Sequence, residues 1–304
     1  MEGREIISIN VDLSCDKFCE SCEKFFECEN PEKDKMFIRR RMGKAKQTMS
    51  KIKHKIAIVG GKGGVGKSIT TVNLGTALAM LGRKVSILDQ DFDGATVPKM
   101  LGIMAKKLTL SDDGILPVEG TLGIQVISMG NILQDDEVLT WFHDMRRNAT
   151  EEFLSHVVYG ERDYLLIDLP PGTSSDSVNM MEYIPDLSGA VIVTVPSEVS
   201  QNVAYKASLL CRKAKVRIFG VIENMGGFVC PECGTTVNIL RFGGGEKLAK
   251  DLEVPFLGRI PLDPRLSVCS DEGKPFVLAH PESPASKEVM KIAKTLEDML
   301  NRSN

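Results

Sequence analysis

Long apolar runs are absent from this sequence. No stretch is long enough to cross a bilayer, and the first residues, MEGREIISINVDLSCD, are acidic and lack the apolar core of a secretory signal. We therefore expect a cytoplasmic protein that does not enter a membrane. In a reducing cytosol the eight cysteines are better interpreted as metal ligands or buried thiols than as disulfides.

A strong charge of one sign is also absent. The chain has 38 Lys and Arg against 41 Asp and Glu, a formal net charge of −3, which gives no general reason to expect a nucleic-acid partner. We find no internal repeat and no low-complexity tract. The hydrophobic fraction of 42% and the charged fraction of 26% are ordinary for a globular protein. A chain of 304 residues can form one large α/β domain with an appendage, or two smaller domains.

Most of the cysteines are clustered. The four histidines, in contrast, do not have the spacing of metal ligands. The clustered cysteines are Cys15, Cys19, Cys22, Cys28, Cys230 and Cys233. Cys211 lies in an apolar helical pattern and is expected in the core, whereas Cys269 has no assigned role. The pair in FVCPECGTT offers two thiolates to one centre, but zinc and iron–sulfur clusters take four ligands. This pair is therefore half of a metal site.

The segment before residue 55 differs in composition from the rest. Residues 12–34 are acidic and carry the first cysteine group, whereas residues 35–55 hold nine Lys and Arg and no acid. A polar segment of one charge sign buries little apolar surface, so we interpret it as a linker or an exposed helix. The predicted parts are a cysteine-rich metal segment (1–34), a basic linker (35–54) and a main domain (55–304).

From residue 55 onward, short apolar runs alternate with helical stretches. The runs are KIAIVG, KVSILDQD, GIQVISMG, YLLIDLP, GAVIVTVP, VRIFGVIENM and VPFLGRIP. This alternation predicts an α/β fold with a doubly wound, mostly parallel sheet. Ligands bind such sheets outside the carboxyl ends of the strands. Four of the runs end in residues that can bind a ligand or take part in catalysis, and we expect these residues to lie together at that edge of the sheet. They are the glycines after Val59, Asp89 with Asp91, Asp168, and Asn224.

The segment GGKGGVGKS, residues 60–68, matches the P-loop pattern between a predicted strand and a predicted helix. Its glycines let backbone N–H groups surround phosphates at a helix N-terminus. Lys67 is expected to neutralise the β- and γ-phosphates, and the Ser68 hydroxyl to ligate Mg²⁺. The predicted ATP-binding residues of this loop are Gly61, Gly63, Gly64, Val65, Gly66, Lys67, Ser68 and Ile69.

The loop carries a second lysine, Lys62. The stretch KGGVGKS resembles the deviant P-loop class that includes the nitrogenase iron protein, the MinD and ParA positioning ATPases and the arsenical-pump-type ATPases. In that class the early lysine reaches the phosphates of the other subunit. The resemblance implies ATP bound between two copies of this chain.

Several carboxylates complete the predicted hydrolytic site. Asp168 ends YLLID, where such ATPases place a carboxylate near Mg²⁺, usually through water. The following loop, LPPGTSSD, suits γ-phosphate sensing. By resemblance to the class, Asp91 orients the attacking water and Asp89 supports Mg²⁺, whereas Asp93 is interpreted as a strand-end capping acid. The expected catalytic residues are thus Lys62, Lys67, Asp91 and Asp168, with Ser68 on the metal.

The base-binding residues follow from the same resemblance. Asn224, at the end of VIENM, matches the residue that reads adenine in this class. The segment Pro261-Leu262-Asp263 matches its second base-contacting loop.

Further motifs narrow the resemblance. YLLIDLPPGT, VIENMGGFVCPECG, FGGGEKLAKDLEVPFLGRIPLDP and SDEGKPF resemble the Mrp/ApbC-type iron–sulfur cluster carrier ATPases, a group that includes the eukaryotic cytosolic scaffold ATPases. The resemblance implies a homodimer that hydrolyses ATP slowly and delivers clusters to apo iron–sulfur proteins. A two-fold interface places the same loop opposite itself, so two copies of Cys230 and Cys233 could share one [4Fe–4S] cluster, which is the family's arrangement. Because CPECG is also the form of a zinc-ribbon knuckle, a bridging zinc site stays an alternative.

The N-terminal cysteines, Cys15-x3-Cys19-x2-Cys22-x5-Cys28, predict a second [4Fe–4S] cluster within one chain, with zinc as the alternative. The last three match the spacing of the eukaryotic scaffold branch, but there the first cysteine lies further upstream. Family members also carry Trp-Arg-Gly-Pro near Trp141, where this chain has VLTWFHDMRRN.

Two other functions fit parts of the sequence. A MinD- or ParA-like positioning ATPase with a structural zinc site would act on a membrane or on DNA, but the C-terminal LEDMLNRSN is neither strongly apolar nor strongly basic. An ATP-gated iron–sulfur electron carrier is the other alternative. There the bridging cysteines are widely separated rather than paired as Cys-X-X-Cys.

Overall fold

The computed structural model describes residues 28, 30, 33–132, 143–172, 181–230, 233–237 and 242–302. Of residues 33–40, 143 and 144, only the backbone is described. The helices are α1 (Lys33–Met49), α2 (Lys67–Met80), α3 (Val97–Met100), α4 (His143–His156), α5 (Glu198–Lys213), α6 (Gly244–Asp251), α7 (Arg265–Asp271), α8 (Phe276–Ala279) and α9 (Pro284–Asn301).

The strands include all seven apolar runs seen in the sequence. They are β1 (Ile52–Gly60), β2 (Val85–Asp89), β3 (Thr109–Ser111), β4 (Gly114–Leu116), β5 (Val118–Glu119), β6 (Gln125–Ile127), β7 (Arg162–Asp168), β8 (Gly189–Thr194), β9 (Ile218–Val229), β10 (Thr236–Val237) and β11 (Phe256–Leu262). Short 3₁₀ turns lie at Thr121–Gly123 and Met129–Asn131.

The main sheet of the described residues is doubly wound and mostly parallel, which confirms the predicted fold class. Its order is β10-β9-β8-β1-β7-β2-β6-β5, and β11 also pairs with β9. The pairings of β5 with β6 and of β10 with β9 are antiparallel. Asp89 at the end of β2 lies opposite Asp168 at the end of β7, and β7 in turn pairs with β1, the strand before the P-loop. The sheet thus brings the predicted acids to one edge.

The core lies on both faces of this sheet, because successive side chains of a strand point in opposite directions. On β1, Ile56 and Ile58 belong to the cluster on one face, and Ala57 and Val59 to the cluster on the other. Buried residues of α2 and α9 pack on the first face. Buried residues of α1, α4, α5 and α6 pack on the second. This two-sided burial explains why the strands are continuous apolar runs.

The basic segment 35–54 forms most of α1 and the start of β1. Met49 is fully buried in the core of the second face, and Arg41 is buried with its Nη1 3.4 Å from Glu151 Oε2 on α4. Composition does not reveal this packing. Within residues 41–54, Ala45, Met49 and Ile52 are buried, whereas the side chains of four lysines are exposed: Lys44, Lys46, Lys51 and Lys53. Residues 41–54 therefore pack with the main domain. The domain boundaries 1–34, 35–54 and 55–304 otherwise stay a prediction.

No helix within the described ranges is both long enough and apolar enough to cross a membrane.

Candidate functional site

The P-loop joins β1 to α2, and its conformation depends on Asn224 from β9. Gly66 precedes the helix with φ 79° and ψ 31°, in the left-handed region that favours glycine. The Asn224 side-chain Nδ2 donates to the Val65 carbonyl at 3.0 Å, so the residue predicted to read adenine holds the loop itself. A Cβ atom at position 66 would overlap that Asn224 amide.

Gly66→Ala is expected to weaken ADP binding and to lower the free energy of unfolding by about 2 kcal/mol, because it combines backbone strain with displacement of Asn224. Calorimetric titration with ADP and thermal unfolding measure the two effects. Gly82→Ala is the matched control, since Gly82 also has a positive φ, 81°, but lies outside the P-loop, and no described atom beyond its own helix and chain neighbours lies within 4 Å of its Cβ position. Equal losses in both variants would contradict the role of Asn224.

Gly61 lies at a close approach between the start of the P-loop and α5. Its added Cβ would overlap the backbone of Val203 and Ala204 on α5. The absence of a side chain therefore lets α5 pack against the start of the loop.

Lys67 and Asp168 form a buried pair under the loop. Lys67 Nζ lies 2.7 Å from Asp168 Oδ1, and Thr71 Oγ1 donates to the same oxygen at 2.8 Å. Asp168 is fully buried, and its Oδ2 has no hydrogen-bond partner among the described atoms. A buried carboxylate with one unpartnered oxygen fits a cation or its bound water. These residues thus suit the predicted Mg²⁺ site.

Asp89 is held beside that pair by two hydrogen bonds. Its Oδ1 accepts from the Asp91 backbone N–H at 3.1 Å, and its Oδ2 accepts from Ser128 Oγ at 3.0 Å. Burial raises the pKa of the Asp89 carboxyl to about 7, and the charge of Asp168 adds to this rise. Burial also raises the pKa of Asp91, while Lys67 opposes that rise. Cation binding would favour the charged form of both acids.

Without nucleotide and Mg²⁺, the contribution of Asp89 to the free energy of unfolding is expected to fall as the pH rises from about 4 to 7. The folded-state pKa of Asp89 is about 7, above the value of about 3.9 in an unfolded chain, so the folded state binds the extra proton. Asp89→Asn should therefore stabilise the chain by on the order of 2 kcal/mol at pH 8 and not at pH 4. Urea unfolding in EDTA measures this, and an equal difference at both pH values would contradict it.

A cavity of about 440 Å³ lies at the P-loop, and Lys67 and Asp91 are part of its wall. The predicted residues that line it are Lys62, Gly63, Gly64, Val65, Gly66, Lys67, Ser68, Ile69, Asp91, Asn224, Pro261, Leu262 and Asp263. The structure thus brings the phosphate loop, the switch acid and both base-contacting segments to one space. Their individual roles remain predictions.

Sequence reasoning missed part of the cavity wall and the partners of two acids. Pro171 belongs to the predicted loop LPPGTSSD, and the missed lining residues are Thr96, Met100, Met225, Pro264, Leu266, Ser267 and Ser270. Thr71 could have been found, since it lies one helical turn after Lys67 and faces the same way. Ser128 follows the end of β6, so the strand-end rule applied to it as well. Met100 and Leu266 carried no such signal, because distant segments bring them together.

The cysteine pair lies just beyond β9. Cys230 is half-buried and Cys233 is exposed. The Cys230 N–H donates to the Thr235 carbonyl at 3.0 Å, and the Gly234 N–H donates to the Cys230 carbonyl at 2.9 Å, which closes the loop. A hydrogen bond with the Thr235 side chain lowers the pKa of the Cys233 thiol. Among the described residues, no group of three or more His, Cys, Asp or Glu could hold a metal.

The remaining candidate residues are either in contact with other parts of the fold or outside the described residues. Cys211 is buried as expected, Cys269 is buried too, and Asp93 pairs with Arg146 of α4. The candidates outside the described residues are Cys15, Cys19, Cys22, the switch residues 173–176 and the divergent residues 138–142. Cys28 is described only as a half-buried free thiol.

Comparison with known protein families shows which family this chain belongs to. The ParA family model described as "NUBPL iron-transfer P-loop NTPase" matches residues 51–297. The chain belongs to this family. This confirms the resemblance to the Mrp/ApbC-type carrier ATPases. The NUBPL-type match includes both the P-loop and the cysteine pair.

Curated relatives of this NUBPL-type NTPase align over most of their length. The "Iron-sulfur cluster carrier protein" of Methanocaldococcus jannaschii is 45% identical over 93% of this chain and 96% of its own. The "Cytosolic Fe-S cluster assembly factor NUBP2" of Bos taurus is 38% identical over 81% of this chain and 92% of its own.

Solved structures share the fold. A nucleotide-binding protein from Archaeoglobus fulgidus, in complex with ADP, has 37% identity and a TM-score of 0.69 over 77% of this chain and 91% of its own. The septum site-determining protein MinD from Pyrococcus horikoshii, complexed with Mg-ADP, has 26% identity and a TM-score of 0.62 over 83% of this chain and 99% of its own.

Proposed function

We propose that this protein is an ATP-dependent iron–sulfur cluster carrier. Two copies of the chain hold a labile [4Fe–4S] cluster as cargo and transfer it to apo iron–sulfur proteins. The observation that carries the proposal is the position of the cysteine pair. Cys230 directly follows the strand whose Asn224 lines the nucleotide cavity and holds the P-loop. Relatives named as cluster carriers support the same function.

A second copy supplies the other two ligands. Two thiols complete half of a four-ligand centre, and a two-fold interface brings the same loop of both copies together. The exposure of Cys233 suits this arrangement, because its thiol can reach a partner and later a recipient. A zinc ion would be held by the same four sulfurs, so metal analysis has to distinguish the two.

The residues around the cavity suit slow phosphoryl transfer from ATP to water. Lys67 leaves Asp168 to contact the phosphates, and the backbone of residues 63–66 donates to their oxygens. Asp91 orients the water, and Lys62 acts on the nucleotide of the other subunit. Ser68 would hold Mg²⁺ with the support of Asp89 and Asp168, and the ion would supply positive charge that neutralises the phosphates. Hydrolysis switches the dimer between cluster binding and release.

The N-terminal cysteines hold a second [4Fe–4S] cluster within each chain, or zinc in its place. Cys15, Cys19, Cys22 and Cys28 are its ligands. The protein works in the cytoplasm, with a second copy of itself and apo-proteins as partners, and without nucleic acid or membrane.

Anaerobic reconstitution with iron and sulfide tests the proposal. The variant used has Ala in place of Cys15, Cys19, Cys22 and Cys28. Any bound metal then reports on the pair Cys230 and Cys233 alone. We expect about two irons per chain, no zinc, and reactivation of added apo-aconitase. Zinc binding without iron or transfer would instead support the positioning ATPase with a structural zinc site. Stable redox cycling without cluster loss would support the electron carrier.

A further inference from the structure

A second cavity lies directly beside Cys230. It measures about 440 Å³ and is lined by Phe228, Val229, Cys230 and Gly234 on one side and by Pro284 and Ala285 on another. Its remaining wall is residues 261–265. Residues 261–264 of that wall also line the nucleotide cavity. One four-residue segment therefore borders both cavities. If a ligand in one cavity displaces this segment, the shape of the other cavity changes.

The strand between the two sites is irregular. Ile260 of β11 lies opposite Asn224, but Leu262 lies opposite Phe228, so two steps along β11 correspond to four along β9. The extra residues include Met225 with φ 57°, which lines the nucleotide cavity. A non-glycine residue in the left-handed region indicates local backbone strain. The β9 bulge therefore concentrates strain between the nucleotide cavity and Cys230.

An ion pair fixes the shared wall. Arg265 donates from Nε to Asp263 Oδ1 at 2.9 Å and from Nη2 to Asp263 Oδ2 at 2.7 Å, and its backbone N–H donates to Oδ1 at 3.1 Å. Asp263 lines both cavities, whereas Arg265 lines only the one beside Cys230. The Asp263 side chain is 12% exposed and that of Arg265 is 51% exposed. The Arg265 guanidinium, which lies on the side of Cys230, thus binds a carboxylate that borders the nucleotide cavity.

We propose that Arg265 is a positioning residue that, through Asp263 and the shared wall, makes the geometry around Cys230 depend on the bound nucleotide. A nucleotide base entering beside Asp263 and Pro264 displaces the wall, and the bidentate pair carries that displacement into the cavity beside Cys230. The inference rests on the nucleotide-binding half of the proposed function and not on cluster binding.

The test measures alkylation of Cys230 by iodoacetamide in the reduced, metal-free, full-length chain at constant pH. Peptide mass spectrometry gives the rate without nucleotide, with Mg-ADP and with a non-hydrolysable ATP analogue plus Mg²⁺. In the wild type we expect nucleotide to change the rate by at least about fivefold. In Arg265→Gln that ratio should fall toward one while ADP affinity stays unchanged. Arg265→Lys, which keeps the charge but not the bidentate geometry, should be intermediate.

Two controls accompany this comparison. Lys287→Gln removes a different exposed cation, paired with Glu282, and should keep the wild-type ratio. Fully buried Cys211 should stay unmodified, because its alkylation would report unfolding. An unchanged wild-type rate with nucleotide, a full ratio in Arg265→Gln, or loss of its ADP binding would each overturn the proposal. A chain that responds to nucleotide but transfers no cluster would refute the carrier function alone.

Discussion

Lys67→Ala is expected to lower ATP hydrolysis by at least about 100-fold and to destabilise the nucleotide-free chain by about 3 kcal/mol. The first effect follows from the proposed role of Lys67, because the variant lacks the positive charge that would contact the transferred phosphate. The second follows because Asp168, fully buried, would lose the ammonium that lies 2.7 Å from its Oδ1. Steady-state phosphate release and urea unfolding measure the two quantities.

Lys62→Ala is the matched control, because Lys62 is exposed and lines the same cavity. We expect its stability to remain within about 0.5 kcal/mol of wild type, with hydrolysis lost if Lys62 acts across the dimer. Mixing the two inactive variants should then restore activity. In a mixed dimer the site of the Lys62→Ala chain keeps its own Lys67 and receives the intact lysine of the other chain. No recovery on mixing, under conditions where subunits exchange, would show that Lys62 acts within its own chain.

Replacing both Cys230 and Cys233 by serine is expected to abolish transferable cluster. A reconstituted wild-type chain should hold about six irons, four at the N-terminal cysteines and two as its share of the bridging cluster. The double variant should keep about four irons and lose all reactivation of apo-aconitase. Hydrolysis without cluster and the midpoint of thermal unfolding should change little, because Cys233 is exposed and Cys230 is only half-buried.

Cys269→Ala provides the comparison for that experiment. Cys269 is a buried thiol on α7 that lines neither the nucleotide cavity nor the cavity beside Cys230, so its removal should leave both iron content and transfer unchanged. Full transfer by the Cys230→Ser/Cys233→Ser chain would assign the labile cluster to other ligands. Loss of transfer with iron content unchanged would instead assign these thiols to the release step.

The sequence by itself determined the fold class, and it predicted many of the residues that line the cavity at the P-loop. Seven apolar runs, each ended by a turn or a polar residue, predict parallel strands, because both faces of such strands are buried. The order of P-loop, Asp89, Asp168 and Asn224 at strand ends then places them at one sheet edge. These inferences succeed because periodicity and strand ends are local properties that the sequence displays directly.

Only the tertiary structure decided the contacts among these residues. It assigned Asn224 to the P-loop carbonyl, Ser128 to Asp89 and the basic segment to a packed helix. It also placed one wall, residues 261–264, between the nucleotide cavity and the cavity beside Cys230. Such contacts join segments far apart in the chain, and side-chain packing selects them from many pairings that the local pattern equally permits.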